Sequence, residues 1–270
     1  MLSLPTKRLE SFKFYKYQAC GNDFILIEDD EEEFLQHHRS MIPHLCKPHY
    51  GIGADGVLLV QKSTVANIKM RIFNQDGSEA RMCGNGLRCV GKHFGQDCSI
   101  ETAAGVSILK LRKDSIHASL PIAKILKEFI DLPMNLKGHL VNTGTEHLVI
   151  FVEDIHAPDL SALADLYKTH ELFSPKGVNV NYAKILSQDS LQVKTFEKGV
   201  KEPTHSCGSG GAAVALAYTH LIERQETLRI LSWHQGEILY SIDSLGTLWM
   251  TGPAQFVFEG NFISKKLFMD

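Results

Sequence analysis

The sequence has almost no surplus of charge of either sign and no long apolar run. Its 270 residues include 28 lysines and arginines against 31 aspartates and glutamates, a formal net charge of −3. Proteins that bind nucleic acid through its phosphates usually carry a basic surplus, so we expect no nucleic-acid partner. No stretch approaches the roughly 20 apolar residues of a membrane-spanning helix, and no apolar signal-peptide core opens the chain. We therefore expect a cytoplasmic protein with no membrane partner.

Cysteine is also sparse. The six cysteines are scattered at positions 20, 46, 83, 89, 98 and 207, which is typical of reduced thiols in a cytosol rather than of a disulfide framework. Hydrophobic residues make up 44% of the chain and charged residues 22%, so an ordinary buried core can form without disulfides.

Two patterns that could hold a metal or a dinucleotide lack the rest of their signature. Residues 37–49 contain four histidines and a cysteine, but without the paired ligand spacing of a zinc site, so we predict polar surface histidines. Residues 51–56 read Gly-x-Gly-x-x-Gly, yet an apolar, strand-like run follows where a dinucleotide fingerprint needs a helix. We expect no metal and no cofactor, and we interpret residues 51–56 as a turn beside the substrate cleft.

Short alternating segments dominate the chain. Ile68, Met70 and Ile72 have the period-two spacing of a half-buried strand, and several other segments are similar. Four stretches have helical character: 32–38, 85–94, 160–172 and 211–223. This mixture predicts an α+β fold with mainly antiparallel sheets. Residues 113–137, with prolines at 121 and 133, are predicted to cross over between two halves.

A short motif occurs twice. Cys-Gly-Asn-Gly at 83–86 and Cys-Gly-Ser-Gly at 207–210 lie 124 positions apart, and each precedes a helical run. The recurrence indicates two homologous halves. The second helix is apolar on every face, which indicates burial all round, as if a sheet wrapped it. We expect an N-terminal half of residues 1–118, completed by the segment 262–270, and a C-terminal half of residues 119–261.

A cysteine at a helix start is well placed for acid/base chemistry. Free backbone N–H groups and the positive end of the helix dipole both favour a thiolate, and the same N–H groups can hold a carboxylate. Two such motifs facing each other would grip one α-amino acid from both sides. One thiolate would remove the α-proton while the opposite thiol delivers a proton to the other face. We assign this role to Cys83 and Cys207 and interpret the other four cysteines as buried small apolar residues.

At this point the chain resembles the diaminopimelate epimerase family. Its stretches appear in family order along most of the sequence: Gly-Asn-Asp-Phe (21–24), Gly-Ile-Gly-Ala-Asp-Gly (51–56), Phe-Asn-Gln-Asp-Gly-Ser-Glu-Ala (73–80), Met-Cys-Gly-Asn-Gly-Leu-Arg (82–88), Gly-Val-Asn-Val (177–180), Phe-Glu-Lys-Gly (196–199), Cys-Gly-Ser-Gly (207–210) and Met-Thr-Gly-Pro-Ala (250–254). The resemblance implies two pseudo-symmetric halves, each a sheet wrapped round a central helix, with the active site between them. It implies epimerisation of LL- and meso-diaminopimelate without a cofactor, in lysine and peptidoglycan precursor synthesis, and commonly a homodimer.

The resemblance also implies roles for individual residues. Cys83 and Cys207 match the acid/base pair, and His147 and Glu197 match the pair that contacts the substrate amine. The implied substrate-binding residues are Asn22, Asn74, Gly84, Asn85, Asn179, Lys198, Gly208 and Ser209. The backbone amides of the two Gly-x pairs among them would hold the reacting carboxylate.

Two departures fall at the end of the site that would hold the distal, non-reacting group. The family usually has Gly-Asn-Pro-His where this chain has Gly-Thr-Glu-His at 144–147, and Glu-Arg where it has Glu-Lys at 197–198. Lys198 replaces a planar bidentate guanidinium with a flexible point charge, which loosens carboxylate recognition. Glu146 would disfavour a second carboxylate if it points inward. We expect a broadened substrate range that includes glutamate.

Two other functions stay open. Proline and hydroxyproline racemases use a similar two-cysteine design, but they have histidine where this chain has Asn85. A non-catalytic amino-acid-binding relative would keep the fold without the chemistry, and the retention of both cysteines argues against it. Which of the two thiols is charged at rest is left undecided.

Overall fold

The structure is a computed structural model and describes residues 11–204, 206–223, 227–233 and 236–263. The first part of the chain forms helices α1 (Glu33–His38), α2 (Ile42–Cys46) and α3 (Gly84–Phe94). Its strands are β1 (Ser11–Ala19), β2 (Asn22–Glu28), β3 (Gly56–Gln61), β4 (Ile68–Asn74), β5 (Glu79–Ala80), β6 (Cys98–Thr102), β7 (Gly105–Leu111) and β8 (Ile116–Ser119).

The second part forms helices α4 (Leu160–Lys168) and α5 (Gly208–Ile222). Its strands are β9 (Lys124–Leu132), β10 (Leu136–Asn142), β11 (Glu146–Phe151), β12 (Asn179–Ser187), β13 (Ser190–Phe196), β14 (Leu228–Ser232), β15 (Glu237–Ile242), β16 (Leu248–Gly252) and β17 (Gln255–Ile263). Within the ranges described, every helix is too short or too polar to cross a membrane.

The strands form two runs with the same pairing pattern. The first run has the order β17-β1-β2-β3-β4-β6-β7-β8, and the second has the order β9 to β16 in sequence. In both runs the third and fourth strands are parallel, the fifth and sixth are parallel, and the remaining neighbours are antiparallel. The last strands of the two runs, β8 and β16, pair antiparallel and join the runs into one sheet.

Each run encloses one helix. Helix α3 packs against all eight strands of the first run, and α5 packs against all eight of the second. Apart from Ser209, residues 208–213 of α5 are glycines and alanines that are almost completely buried. Their small size lets the surrounding strands approach the helix. The predicted α+β fold of two pseudo-symmetric halves, each a mainly antiparallel sheet wrapped round a central helix, is confirmed.

The connection between the two halves is much shorter than the predicted crossover at residues 113–137. This stretch contains the whole of β8 and β9 and leaves residues 120–123 between them. The prolines lie at the ends of these strands rather than in a linker. Buried Ile130 and Leu132 flank exposed Asp131, which is the period-two pattern of a half-buried strand.

The last described strand, β17, belongs beside the start of the chain. Its residues pair with β1 from Gln255, opposite Gln18, to Ile263, opposite Ser11. We propose that the first half is completed from residue 255 onward, whereas the sequence predicted completion by 262–270. Residues 264–270 of that predicted segment lie outside the described ranges, and the division at 118/119 stays a prediction.

The prediction of a surface position is wrong for one of the four histidines, His38. His38 is buried at the end of α1, and its ring lies 6.0 Å from the ring of Phe12 and 5.8 Å from the ring of Phe34. Its helical position relative to Phe34 puts both rings on one face of α1, and that face packs on the sheet.

Candidate active site

The two cysteines of the repeated motif cap the two central helices. Cys83 precedes α3 with extended backbone, and its Sγ accepts a hydrogen bond from the N–H of Gly86 at 3.4 Å. Cys207 precedes α5 in the same conformation, and its Sγ accepts from the N–H of Gly210 at 3.3 Å. Both side chains are half-buried free thiols. The sequence repeat is therefore also a repeat of local structure.

The two helix starts meet at the junction of the halves. A Cβ atom built on Gly84 would lie 3.7 Å from the Cα of Gly208, and one built on Gly208 would lie 3.5 Å from the Cα of Gly84. Glycine allows this close approach because it has no side chain. The starts of both helices therefore lie side by side, and free N–H groups at a helix start can hold an anionic group.

Burial dominates the ionisation of both thiols. It raises the pKa of Cys83 above its usual value, although the backbone N–H groups of Gly86 and Asn85 pull the pKa down. Burial and the Glu197 carboxylate raise the pKa of Cys207, while Ser209 and Gly210 pull it down. From the sequence, we expect the helix starts to favour thiolates. The helix amides do act in that direction, but desolvation outweighs them.

A hydrogen-bonded network surrounds Cys83. The side-chain amide of Asn85 donates to Asn22 Oδ1 at 3.0 Å, and Asn85 Oδ1 accepts from Arg88 at 2.8 Å. Arg88 is fully buried and also donates to the carbonyl of Pro253, on the far side of the β8–β16 seam. These bonds fix the orientation of two amides that the sequence assigned to substrate binding.

The side-chain nitrogen of Asn22 is also hydrogen-bonded. Its Nδ2 donates to Asp55 Oδ2 at 2.7 Å, and the backbone N–H groups of Asp23 and Asp55 each donate to the side-chain carboxylate of the other residue. Asp23 in turn pairs at 2.6 Å with Lys16, whose side chain is almost completely buried. The glycine-rich segment 51–56 therefore ends beside Asn22.

Asn74 lies at the same end of the sheet but is turned towards its own loop. It is exposed, and its side chain donates to Ser78 Oγ at 2.9 Å. It stands opposite Gly56, which stands opposite Phe24. The strand register thus brings Asn74 to the edge that carries Asn22.

The equivalent edge of the second half carries His147, Asn179 and Glu197. His147 pairs in register with Asn179, and Asn179 Oδ1 accepts from the backbone N–H of Lys198 at 2.9 Å. Burial raises the pKa of Glu197, and hydrogen bonds from Cys207 and Thr204 oppose that rise. The Glu197 carboxylate therefore lies directly beside the Cys207 thiol.

His147 is completely buried behind Ser209. Its Nε2 lies 3.1 Å from Ser209 Oγ, and its Nδ1 lies 3.0 Å from the side-chain nitrogen of Asn181. Burial lowers the pKa of His147 to about 3, so the ring is neutral at physiological pH. The predicted contact between His147 and a substrate amine stays a prediction.

The residues that depart from the family pattern form a group at the surface. Lys198 is exposed, and its Nζ donates to the carbonyl of Lys176 at 3.2 Å. Glu146 is half-buried, and its carboxylate lies 3.9 Å from Lys176 Nζ. Thr145 is half-buried beside it.

Three polar residues of the site were missed by the sequence argument. Asn181 and Arg88 are completely buried, and Tyr240, 1% exposed, donates to the carbonyl of Gly208 at 2.8 Å. A polar residue inside an apolar strand or helical stripe was the available signal, since such a residue needs a buried partner. Arg88 has one near partner, Asn85, three residues earlier on α3. The partners across the fold, Pro253 for Arg88, His147 for Asn181 and Gly208 for Tyr240, lie too far along the chain to be identified by spacing.

The arrangement can exchange protons on two sides of one small anionic ligand. It offers two thiols, a carboxylate and two sets of helix amides. Across the ranges that the structure describes, no three side chains of histidine, cysteine, aspartate or glutamate come together in a way that could hold a metal ion.

Comparison with known sequences gives a consistent result. The family profile described as diaminopimelate epimerase matches residues 14–117 and 139–257. Proteins named diaminopimelate epimerase from Methanocella arvoryzae and Aquifex aeolicus are 36% and 33% identical to this chain. These alignments cover 93% and 94% of this chain and 97% and 99% of the relatives. A relative of the same name from Alkaliphilus metalliredigens is 31% identical over 93% of this chain and 98% of its own length.

Solved structures share the fold at low identity. A hydroxyproline epimerase from Agrobacterium vitis with bound trans-4-hydroxy-L-proline superposes with a TM-score of 0.73 at 14% identity, covering 94% of this chain and 91% of that one. A phenazine biosynthesis protein from Bacillus anthracis gives 0.68 at 16% identity, covering 94% and 99%.

Proposed function

This chain belongs to the diaminopimelate epimerase family of isomerases, and on that premise we propose that it interconverts LL- and meso-diaminopimelate by proton transfer between Cys83 and Cys207. The observation that carries the proposal is the convergence of two cysteine-capped helix starts at Gly84 and Gly208. One junction then supplies an acid, a base and an anion cradle.

The reacting carboxylate binds at the helix starts. We assign the backbone N–H groups of Gly84, Asn85, Gly208 and Ser209 to hold it, and the same groups would stabilise the negative charge that develops on the carboxylate during proton removal. Because these donors are fixed by the fold, they need no rearrangement during the reaction.

The two sulfurs then act on opposite faces of the α-carbon. The thiolate takes the α-proton as the C–H bond breaks, and the opposite thiol donates its proton to the other face. Burial disfavours the thiolate in the structure without ligand, but the ammonium group of the substrate is a cation and lowers the pKa of a neighbouring thiol. Glu197, beside Cys207, is the anionic group placed to receive that ammonium.

At the distal end we propose a broadened substrate range that includes glutamate. Lys198 is tied to a backbone carbonyl and offers one point charge, where the family has a guanidinium that grips a carboxylate at two points. Asn22, Asn74 and Asn179 supply the remaining polar contacts to the substrate. The loss of one bidentate contact weakens the binding of diaminopimelate more than it weakens the binding of a shorter diacid.

The proline-type alternative is supported by fold alone, since those solved structures share 14% identity with this chain. Asn85 favours diaminopimelate as the substrate, because the proline-type racemases have histidine at that position; here the buried Asn85 side chain donates to Asn22 and accepts from Arg88. We further propose that the enzyme works in the cytoplasm as a homodimer, in the synthesis of lysine and peptidoglycan precursors.

Solvent exchange at the α-carbon tests the proposal. In deuterium oxide the enzyme is expected to wash deuterium into LL-diaminopimelate, and more slowly into D- and L-glutamate, as followed by NMR. Replacing one sulfur by the far less acidic hydroxyl in Cys83→Ser should reduce epimerisation by about 10³-fold or more. Cys98→Ala, a core cysteine remote from the helix starts, is the control. Exchange of proline but not of either diacid would contradict the proposal.

A further inference from the structure

A chain of side-chain hydrogen bonds leads from strand β12 to the sulfur of Cys207. Asn181 Nδ2 lies 3.0 Å from His147 Nδ1, and His147 Nε2 lies 3.1 Å from Ser209 Oγ. Ser209 Oγ lies 3.4 Å from Cys207 Sγ. Asn181 and His147 are both completely buried, so solvent cannot replace either partner.

The surroundings of Asn181 decide which way its amide points. Its nitrogen also faces the backbone carbonyls of Leu148 and Asn179, at 3.3 and 3.4 Å, and a carbonyl can only accept. Its oxygen accepts from Thr195 Oγ1 at 2.9 Å. The amide nitrogen is therefore the atom that faces His147.

This orientation determines the tautomer of His147. Because Asn181 donates to Nδ1, that nitrogen carries a lone pair, and in a neutral ring the proton is on Nε2. Nε2–H then donates to Ser209 Oγ. The serine has accepted one hydrogen bond and keeps its own proton to donate to the sulfur of Cys207.

The packing of Asn181 against the start of α5 requires glycine at position 210. A Cβ atom there would lie 2.3 Å from Asn181 Oδ1 and 3.0 Å from Thr195 Oγ1. The backbone N–H that donates to Cys207 Sγ comes from the same residue. The helix start and the buried asparagine are therefore packed against each other.

The other cysteine has a different neighbour in the equivalent place. Asn85 stands where Ser209 stands in the second half, and its amide donates to Asn22 Oδ1 and to the carbonyl of Ser206. The hydroxyl donor is thus present at Cys207, whereas at Cys83 the corresponding side chain is committed to Asn22.

We propose that Asn181 is a positioning residue that fixes His147 as the Nε2–H tautomer, and that His147 acts on the reaction through the hydroxyl of Ser209, which it holds as a donor to the Cys207 sulfur. This inference rests on the proposed function, since Cys207 is taken as one of the two acid/base groups. A donor that favours the charged sulfur supports the thiolate of Cys207 when that residue is the base.

The tautomer is tested directly by the ¹⁵N chemical shifts of the imidazole in ¹⁵N-labelled enzyme, with His147 assigned by its absence in His147→Gln. The wild-type enzyme is expected to show the neutral Nε2–H pattern. Asn181→Asp replaces the donor with a carboxylate and should convert the ring to an Nδ1–H or doubly protonated form. Thr195→Val removes the bond to Asn181 Oδ1 while leaving the donor, so it should keep the wild-type pattern. An Nδ1–H ring in wild type would overturn the proposal.

The effect on the sulfur is tested with Ser209→Ala, which keeps the backbone amide and does not depend on Asn181→Asp folding. Alkylation of each cysteine by iodoacetamide at mildly alkaline pH is followed by mass spectrometry. The rate at Cys207 should fall about 5–10-fold, because thiolate reacts and thiol does not, while Cys83 in the same molecule is the internal control. An unchanged rate at Cys207, or equal losses at both cysteines, would count against the proposal.

Kinetics separates positioning from structural damage. Asn181→Asp is expected to lower kcat about 10–100-fold with KM within about threefold, since an incorrectly oriented acid/base partner affects the transition state more than binding. Thr195→Val should change kcat less than about threefold. If wild-type enzyme exchanges no diacid at all, the proposed function fails, and the imidazole and alkylation results still decide this inference.

Discussion

The two cysteines have the same backbone setting but different neighbours. Each caps a helix and accepts from an N–H three residues on. Beyond that, Glu197 raises the pKa of both thiols, Arg88 lowers the pKa of Cys83, and the hydroxyl of Ser209 lies beside Cys207. A reversible reaction that presents opposite faces of one carbon needs two similar sulfurs, and differing neighbours let each be stabilised separately.

The residue at position 198 is expected to set preference at the distal end. Lys198→Arg should raise kcat/KM for diaminopimelate relative to glutamate by about 5–10-fold, because a guanidinium grips a carboxylate at two points. The ratio of the two kcat/KM values, measured for wild type and variant in one buffer, checks this. Lys176→Arg, on the neighbouring exposed lysine, is the control. A ratio that Lys198→Arg leaves unchanged would show that position 198 does not contact the distal group.

Burial of His147 makes stability fall in mild acid. Its pKa is lowered to about 3 in the folded protein, so between that value and the ordinary value near 6.5 the unfolded chain binds the proton and the folded chain does not. Stability therefore rises with pH across this window. The free energy of unfolding should drop by about 2 kcal/mol from pH ~7.5 to pH ~5.

Urea titrations at the two pH values measure this drop, and His147→Gln, which cannot titrate, should show a drop smaller by about the same 2 kcal/mol. Equal pH dependence in both proteins would mean that the buried ring is not the group responsible.

At the residue scale the sequence predicted the cysteines well and their partners poorly. Cys83 and Cys207 stand out because a glycine-rich helix start is a local feature, visible within four positions. Asn181 and Arg88 act on residues 34 and 165 positions away, and nothing local identifies those partners. Polar residues within apolar runs indicated that buried partners exist, but not which ones.

The first turn of α5 is packed more tightly than the first turn of α3. A Cβ on Gly210 would lie 2.3 Å from Asn181 Oδ1, whereas one on Gly86, the equivalent position in α3, would meet the flexible end of Leu58 at 2.9 Å. Gly210→Ala should therefore destabilise the protein by about 2 kcal/mol or more.

Gly86→Ala is the matched control for that substitution. Better helix propensity, worth about 1 kcal/mol, offsets its smaller clash, and stability should change little. Thermal unfolding of both variants beside wild type decides the comparison. Equal losses would show that the two helix starts are packed alike.

At the element scale, local signals gave four of the five α-helices in the described ranges, missed the short helix α2, and failed at one connection. The helix starts were predicted within a few residues, since caps and periodicity are local. Strands β8 and β9 were read as a crossover because prolines flank them, and proline marks strand ends as readily as linkers.

At the scale of the whole molecule, β17 exposes an apolar surface that fits the proposed homodimer. Phe256, Val257 and Phe258 are about half exposed on a strand paired on one side with β1. Light scattering should give about twice the chain mass of 30.1 kDa for wild type. Val257→Lys places a charge in this surface and should give the monomer mass, while Val65→Lys, on an exposed loop, should not. A wild-type mass of one chain would exclude this dimer.

The position of β17 also determines which half of the protein can complete its sheet first during synthesis. Strand β1 leaves the ribosome long before its partner on one side, residues 255–263, because the whole second half is synthesised between the two strands. The second half, by contrast, has its equivalent strand, β9, immediately before β10. The half made later can therefore close its sheet as it emerges, whereas the half made first keeps β1 unpaired along one edge until residues 255–263 have been translated.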